Sequence, residues 1–151
     1  MQGNGKRQET IDYLLKIVWQ NMAYRYNQIV SEFGITQSIG YLLINIDEQE
    51  GTTVSQVAAL LGLKATSLSR MLSQLEQMGL IYRQNNKGDK RSVTVYLTDM
   101  GKEKRQMARQ VVKQFNAYLN QHISDREKQL LTQSLKKINQ LTLDYKPDSN
   151  L

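Results

Sequence analysis

Arg70 stands among small polar side chains, Thr66, Ser67, Ser69, Ser73 and Gln74, in the run Ala65-Thr-Ser-Leu-Ser-Arg-Met-Leu-Ser-Gln-Leu75. These residue types suit one kind of chemistry. A guanidinium pairs bidentately with guanine, a carboxamide with adenine, and short hydroxyls approach phosphates and base edges closely. At about 100° per residue, Leu68, Met71, Leu72 and Leu75 share an arc that must face a core. Thr66, Ser69, Arg70, Ser73 and Gln77 fall opposite, with Ser67 and Gln74 at the edge. No Asp or Glu occurs between Glu50 and Glu76. A solvated helix face ordinarily mixes Glu with Lys, whereas a face that meets a polyanion is better without Glu. Lys64, just before this helix, is placed for a phosphate, and Arg70 is the residue best suited to reading a base.

The charge map points the same way. The chain carries a formal net charge of +6. Between residues 83 and 109, Arg83, Lys87, Lys90, Arg91, Lys102, Lys104, Arg105 and Arg109 stand against Asp89, Asp99 and Glu103. The positive excess is therefore concentrated in a hairpin and the helix after it, where cations would displace counterions from a phosphate backbone. For Lys102–Arg109 a plain solvated helix face explains the charges equally well. For the turn tip, with Lys87, Lys90 and Arg91, structure alone has little need of three cations. Asp89 has two roles open to it: holding Arg91 by a bidentate pair toward a narrow minor groove, or making the turn beside Gly88.

These residues need elements to position them. A first short helix from about Ser55 to Leu61 stops at Gly62, which can take the positive φ of a tight turn. A second, 65–78, stops at Gly79. Two helices joined by a short Gly-containing turn form a helix-turn-helix, whose second helix is shaped for the major groove. A hairpin follows, with strands near Leu80–Arg83 and Ser92–Leu97 and a turn at Asn86-Lys87-Gly88-Asp89. In the second strand Val93, Val95 and Leu97 alternate with Thr94 and Tyr96, which predicts one inward and one outward face. The hairpin makes the module a winged helix, with its wing at 84–92.

Outside the module, helical apolar spacing recurs. From Glu9 to Phe33 the residues Ile11, Leu14, Leu15, Val18, Met22, Ile29 and Val30 share a broad face, and Gly34 ends that helix. Thr36 can cap a helix running to about Asp47, closed by Gly51. Thr98 can cap a long helix with the stripe Met107, Val111, Phe115, Tyr118 and Leu119. Ser124 to Glu127 and Thr53 to Gln56 both have the capping-box form, and the former opens a last helix bearing Leu130, Leu131, Leu135, Ile138 and Leu141. The expected fold is mainly α with a small β-hairpin wing. It divides into a polar tail (1–8), an N-terminal dimerisation helix (9–34), the winged helix-turn-helix (35–97), C-terminal dimerisation helices (98–145) and a second tail (146–151). The winged module offers limited surface to cover the long stripes, so a C2 homodimer is expected to bury them. Its two recognition helices would lie about 34–36 Å apart and read a pseudopalindrome.

The block Asp89-Lys-Arg91-Ser-Val-Thr-Val95-Tyr-Leu97-Thr98 resembles the wing of the MarR (multiple antibiotic resistance regulator) family. So do Val57-Ala58, Leu61-Gly62-Leu63, Ser67-Leu-Ser-Arg70, Leu75-Glu76 and Gly79-Leu80-Ile81. The resemblance covers nearly the whole chain. It implies a homodimeric transcriptional regulator, usually a repressor, that binds double-stranded DNA and is released by a small, often aromatic or phenolic, ligand between its dimerisation and DNA-binding parts. It makes Arg91 the minor-groove arginine and Asp89 its support. Trp19, Met22, Tyr26 and Tyr41 lie on the two helices that would line such a pocket. Packing in the core and the dimer accounts for them too.

Other classes fare worse. The chain has no Cys, which removes disulfides, thiolate metal sites and the peroxide-sensing thiol of some family members. His122 is the sole His, too few for a zinc site, and it suits a helix C-terminus. No catalytic constellation is visible, so neither an enzyme nor a cofactor is expected. A winged helix used for protein contact is the main rival, and it predicts a neutral or apolar exposed face on the second helix. With no apolar run long enough for a membrane span and a polar N-terminus, a cytoplasmic protein with no membrane partner is expected.

Overall fold

The computed structural model describes residues 9–86 and 89–147, with 86 and 89–91 as backbone only. Along the chain run α1 (Ile11–Ser31), α2 (Gln37–Ile44), β1 (Thr52–Thr53), α3 (Val54–Leu61), α4 (Ala65–Gln77), β2 (Ile81–Asn86), β3 (Asp89–Leu97), α5 (Asp99–His122) and α6 (Asp125–Asp144). They form two compact units that divide after Val112, within α5.

The first unit has one core. Leu42, Leu43 and Ile46 from α2 and the loop after it, Val57 from α3, Leu68, Leu72 and Leu75 from α4, and Leu80, Ile81, Val95 and Leu97 from the sheet are all buried. Ala108 and Val111 of α5 belong to the same core. The turn between α3 and α4 works as its sequence suggests: Gly62 has φ +60°, and its amide closes on the Ala58 carbonyl.

Thr53 begins α3 with a complete capping box, its hydroxyl accepting from the Gln56 amide at 3.3 Å while the Gln56 carboxamide accepts from the Thr53 amide at 3.0 Å. Losing this cap is expected to cost the helix-turn-helix about 1 kcal/mol. Thr53→Ala should therefore melt about 2–4 °C below the parent. An unchanged melting temperature would show that the cap carries no stability.

Three sequence expectations are corrected. The sheet has three strands in the order β1-β3-β2, because Thr52 and Thr53 pair with Val95 and Thr94. That pairing buries Thr94, which alternation had placed outward. Tyr96 is half-buried and stacks on Tyr82 across the ladder with ring centroids 5.3 Å apart. The helix capped by Thr36 ends at Ile44 rather than near Asp47. The Asp47 carboxylate accepts from the amides of Gln49 and Glu50 at 2.9 and 2.8 Å, a local turn that competes with helix. Both strands of the hairpin are also longer than their apolar runs, with Ile81 opposite Leu97 and Asn85 opposite Val93.

The second unit holds the end of α5 and all of α6. Ser124 and Glu127 form the expected capping box. His122 ends α5, its Nδ1 donating to the Tyr118 carbonyl at 2.8 Å. The stripes expected to be buried are largely open: α6 has no buried residue, and Leu130, Leu131 and Leu141 are more than half exposed. On α5 Val111 is buried, but Tyr118 is 56% exposed. A single chain leaves these faces uncovered.

Candidate nucleic-acid interface

Burial fixes how α4 is turned. Leu68, Leu72 and Leu75 are buried to within 1% of their surface, and Met71 is half-buried against the same core. Thr66, Ser67, Ser69, Arg70, Gln74 and Gln77 are consequently exposed, and Lys64 is exposed at the N-cap. Ser73 is the exception on the polar arc. It is half-buried and receives the Arg83 guanidinium Nη2 at 3.5 Å.

Two grooves flank this helix. One of about 240 Å³ joins Ser67, Arg70 and Gln74 to Thr36, Ser38 and Ile39 at the start of α2. The other, about 520 Å³, runs between helix and hairpin and is lined by Ser55, Ala65, Ser69, Arg83, Ser92 and Val93 among others. Ser38, Ser55, Arg83 and Ser92 were not expected beside these polar residues. Nothing local in the sequence marks them, since each reaches α4 only through the tertiary fold. Among the wing residues, Lys87 lies outside the described residues, as do the side chains of Asp89, Lys90 and Arg91.

Arg83 is bound twice to Glu76, through Nε to Oε1 at 2.9 Å and Nη2 to Oε2 at 2.5 Å. The hydrogen bonds from Arg83 hold the Glu76 carboxyl below its usual range, against a smaller opposing effect of partial burial. Because the folded pKa is lowered, the pair stabilises the fold above the ordinary carboxylate range, and that contribution disappears as pH falls through the lowered value. Glu76→Gln should therefore lose less stability than the parent between about pH 7 and about pH 3. Urea midpoints across that range measure the difference, and parallel losses in both proteins would refute it.

The cations after the hairpin are spent differently from the sequence expectation. Lys104 Nζ donates to the Phe33 carbonyl at 2.6 Å, and Arg105 Nη1 pairs with Glu48 at 2.8 Å. Arg105 is largely buried. These two side chains fasten α5 to the loops around α2, so the surplus charge there is partly internal. The clear cationic candidates on the described outer face are Arg70 and Lys64.

Trp19, Met22 and Tyr26 of α1 and Tyr41 of α2 meet around one cavity of about 170 Å³. Val30, Gly40 and Ile44 line it too, and Ala108, Val111 and Val112 close it from α5. Trp19 and Tyr41 are about half exposed, at 53% and 45%, so its mouth is open. Among the described residues no cluster of His, Asp or Glu could hold a metal ion, and no helix is long and apolar enough to cross a membrane.

A three-helix core carrying a β-hairpin beside an outward polar helix defines a winged helix-turn-helix chain. Residues 35–93 match the model of the MarR family. It is similar to the organic hydroperoxide resistance transcriptional regulator of Bacillus subtilis (strain 168), 32% identical over 96 residues, covering 64% of this chain and 65% of the relative. The chain spans less than two-thirds of the first two curated relatives, since its match to the regulator TtmR of Methylorubrum extorquens (strain PA1) covers 40% of that protein. Among solved structures, apo MarR from E. coli superposes with a TM-score of 0.70 at 27% identity, over 88% of this chain and 98% of that one. A MepR–DNA complex from S. aureus has the same fold, with a TM-score of 0.82 at 24% identity over 88% and 98% of the two chains.

Proposed function

We propose that this chain is a DNA-binding transcriptional regulator of the MarR family, of the repressor kind, acting as a homodimer on a pseudopalindromic operator. The reading rests chiefly on one observation. The exposed arc of α4 is hydroxyl- and amide-rich, carries Arg70 and has no acidic residue before Glu76, while its other face is locked into the core. In this reading α4 enters the major groove and presents Thr66, Ser67, Ser69, Arg70 and Gln74, while Ser73, half-buried beside Arg83, lies at the edge of the contact. Lys64 touches phosphate, and the wing with Lys87, Asp89, Lys90 and Arg91 reaches the minor groove. Two proteins of similar fold, MepR of S. aureus and a putative MarR family transcriptional regulator from Listeria monocytogenes, have structures in complex with DNA. The reading carries a cytoplasmic location with it.

The homodimer is supported by apolar surface left open on each unit separately: Leu14 and Val18 on α1, and Leu130, Leu131, Leu141 and Leu143 on α6. Open apolar surface of this kind marks interaction sites. The aromatic-lined cavity supports a small aromatic or phenolic effector. At about 170 Å³ it suits a single ring, similar in size to cavities of about 150 Å³ that bind benzene. With no Cys in the chain, a thiol cannot be the sensor.

Selection of bound sites from random duplex DNA by the purified protein tests the reading. The expected result is a pseudopalindrome whose affinity falls steeply with salt. No retained duplex even in dilute buffer would favour a winged helix that contacts protein instead.

A further inference from the structure

We propose that Glu76 and Arg83 form the strut that sets the direction of the wing relative to the recognition helix, making Arg83 a positioning residue for duplex binding rather than a phosphate contact. The functional part of this inference rests on the DNA-binding reading above; its geometric part does not.

The two ends of the strut are fixed in different ways. Glu76 lies on the last full turn of α4, one turn beyond Ser73, and α4 cannot roll because Leu68, Leu72 and Leu75 are buried. Arg83 lies on β2 opposite Val95, which is itself paired to Thr52 of β1. Arg83 and its neighbour Gln84 are thus the outermost β2 positions whose rung is backed by the third strand. Beyond them the hairpin is a two-stranded ribbon, with a register shift between Asn85 and Asn86. Such a ribbon has little rigidity of its own and tends to twist strongly. A bidentate guanidinium–carboxylate pair at its root defines an angle as well as a distance, which a single contact cannot do.

The pair also explains why one acidic residue belongs on an otherwise acid-free helix. Both side chains are about one-third exposed, so the pair's pH-dependent stabilisation is small and screened by solvent, and stability alone does not account for it. Placed beside a phosphate path, Glu76 would oppose the polyanion if attraction were the purpose. Its charge is instead matched by Arg83, and the third contact, Arg83 Nη2 to Ser73 Oγ at 3.5 Å, draws the guanidinium along α4. A regulator that engages a major and an adjacent minor groove needs these two elements held at one separation.

The chain lacks Cys, so labels can be placed cleanly at two introduced thiols. The chain carrying Gln77→Cys and Asn85→Cys, exposed positions on α4 and on the two-stranded part of β2, would be spin-labelled for distance measurement. The expected result is a narrow distance distribution, broadened by Arg83→Gln and narrowed again when Glu76→Arg is combined with Arg83→Glu. On a duplex recovered by selection, Arg83→Gln and Glu76→Gln should each weaken binding roughly tenfold. The reversed pair should recover most of that loss, and the salt slope should be the same in all four proteins. A slope reduced by about one per chain in Arg83→Gln, with Glu76→Gln harmless, would make Arg83 a phosphate contact and overturn the proposal. Unchanged distances in Arg83→Gln would overturn it as well. A parent protein with the narrow distribution that retains no duplex would overturn the DNA reading and leave the strut's geometry standing.

Discussion

Replacing Arg70 by alanine is expected to weaken operator binding by about 1–3 kcal/mol for each half-site and to relax base preference at one position of each. Arg70 is the arginine on the exposed arc of α4, with Ser67 and Gln74 beside it and Thr36 and Ser38 across a shallow groove. Those neighbours are short or flexible, so the guanidinium is free to lie flat against a base edge. Loss of a bidentate pair is a sequence-dependent loss. Binding to operator variants changed at single positions measures it: the parent should discriminate at one position where Arg70→Ala does not. Lys64→Ala is the contrasting case. It should weaken all duplexes alike and lower the salt slope by about one per chain. If Arg70→Ala behaved as Lys64→Ala is expected to, Arg70 would be a phosphate contact and base readout would lie elsewhere on α4.

The largest loss of stability is expected from adding one methyl group, in Gly101→Ala. Gly101 is buried in the first turn of α5, and a Cβ there would collide with the Leu80 carbonyl oxygen. That oxygen cannot retreat freely, because it accepts the Thr98 amide at 3.1 Å. Thr98 in turn donates its hydroxyl to the Gly79 carbonyl at 2.6 Å and accepts the Gly101 amide at 3.0 Å. The start of α5 is thereby seated on the backbone that ends α4 and begins β2. Forcing these backbones apart is expected to cost about 3 kcal/mol or more, at the upper end for overpacked cores. The melting temperature should fall by about 6–12 °C for a chain of this size. Calorimetry decides this, and a melting temperature within a degree or so of the parent would show that the seat is not as close as described.

Much of this molecule is legible in its sequence, and the legible parts share a physical cause. The two faces of α4 follow from the helical period, because one side must be apolar to reach the core. The ends of α3 and α6 follow from hydroxyl and carboxamide or carboxylate groups three residues apart. The aromatic cavity is foreshadowed by Trp19, Met22, Tyr26 and Tyr41, yet its far wall of Ala108, Val111 and Val112 comes from a helix remote in sequence. Contacts of that range leave no local signature. The strand Thr52–Thr53 is too short for any periodicity, and only its pairing with β3 reveals it. Charge is the clearest case of what sequence cannot apportion. Lys104, Arg105 and Arg83 read as surplus cations, but a carbonyl, Glu48 and Glu76 occupy them. The count was right while its destination depended on the fold.

The claim that two chains together straddle one duplex can be met head-on by sedimentation equilibrium of the protein mixed with its selected site. Two chains per duplex are expected, with half-site centres one helical turn, about 10–10.5 base pairs, or a multiple of it apart. A complex of one chain on one duplex, formed by a protein that sediments as a monomer on its own, would contradict it.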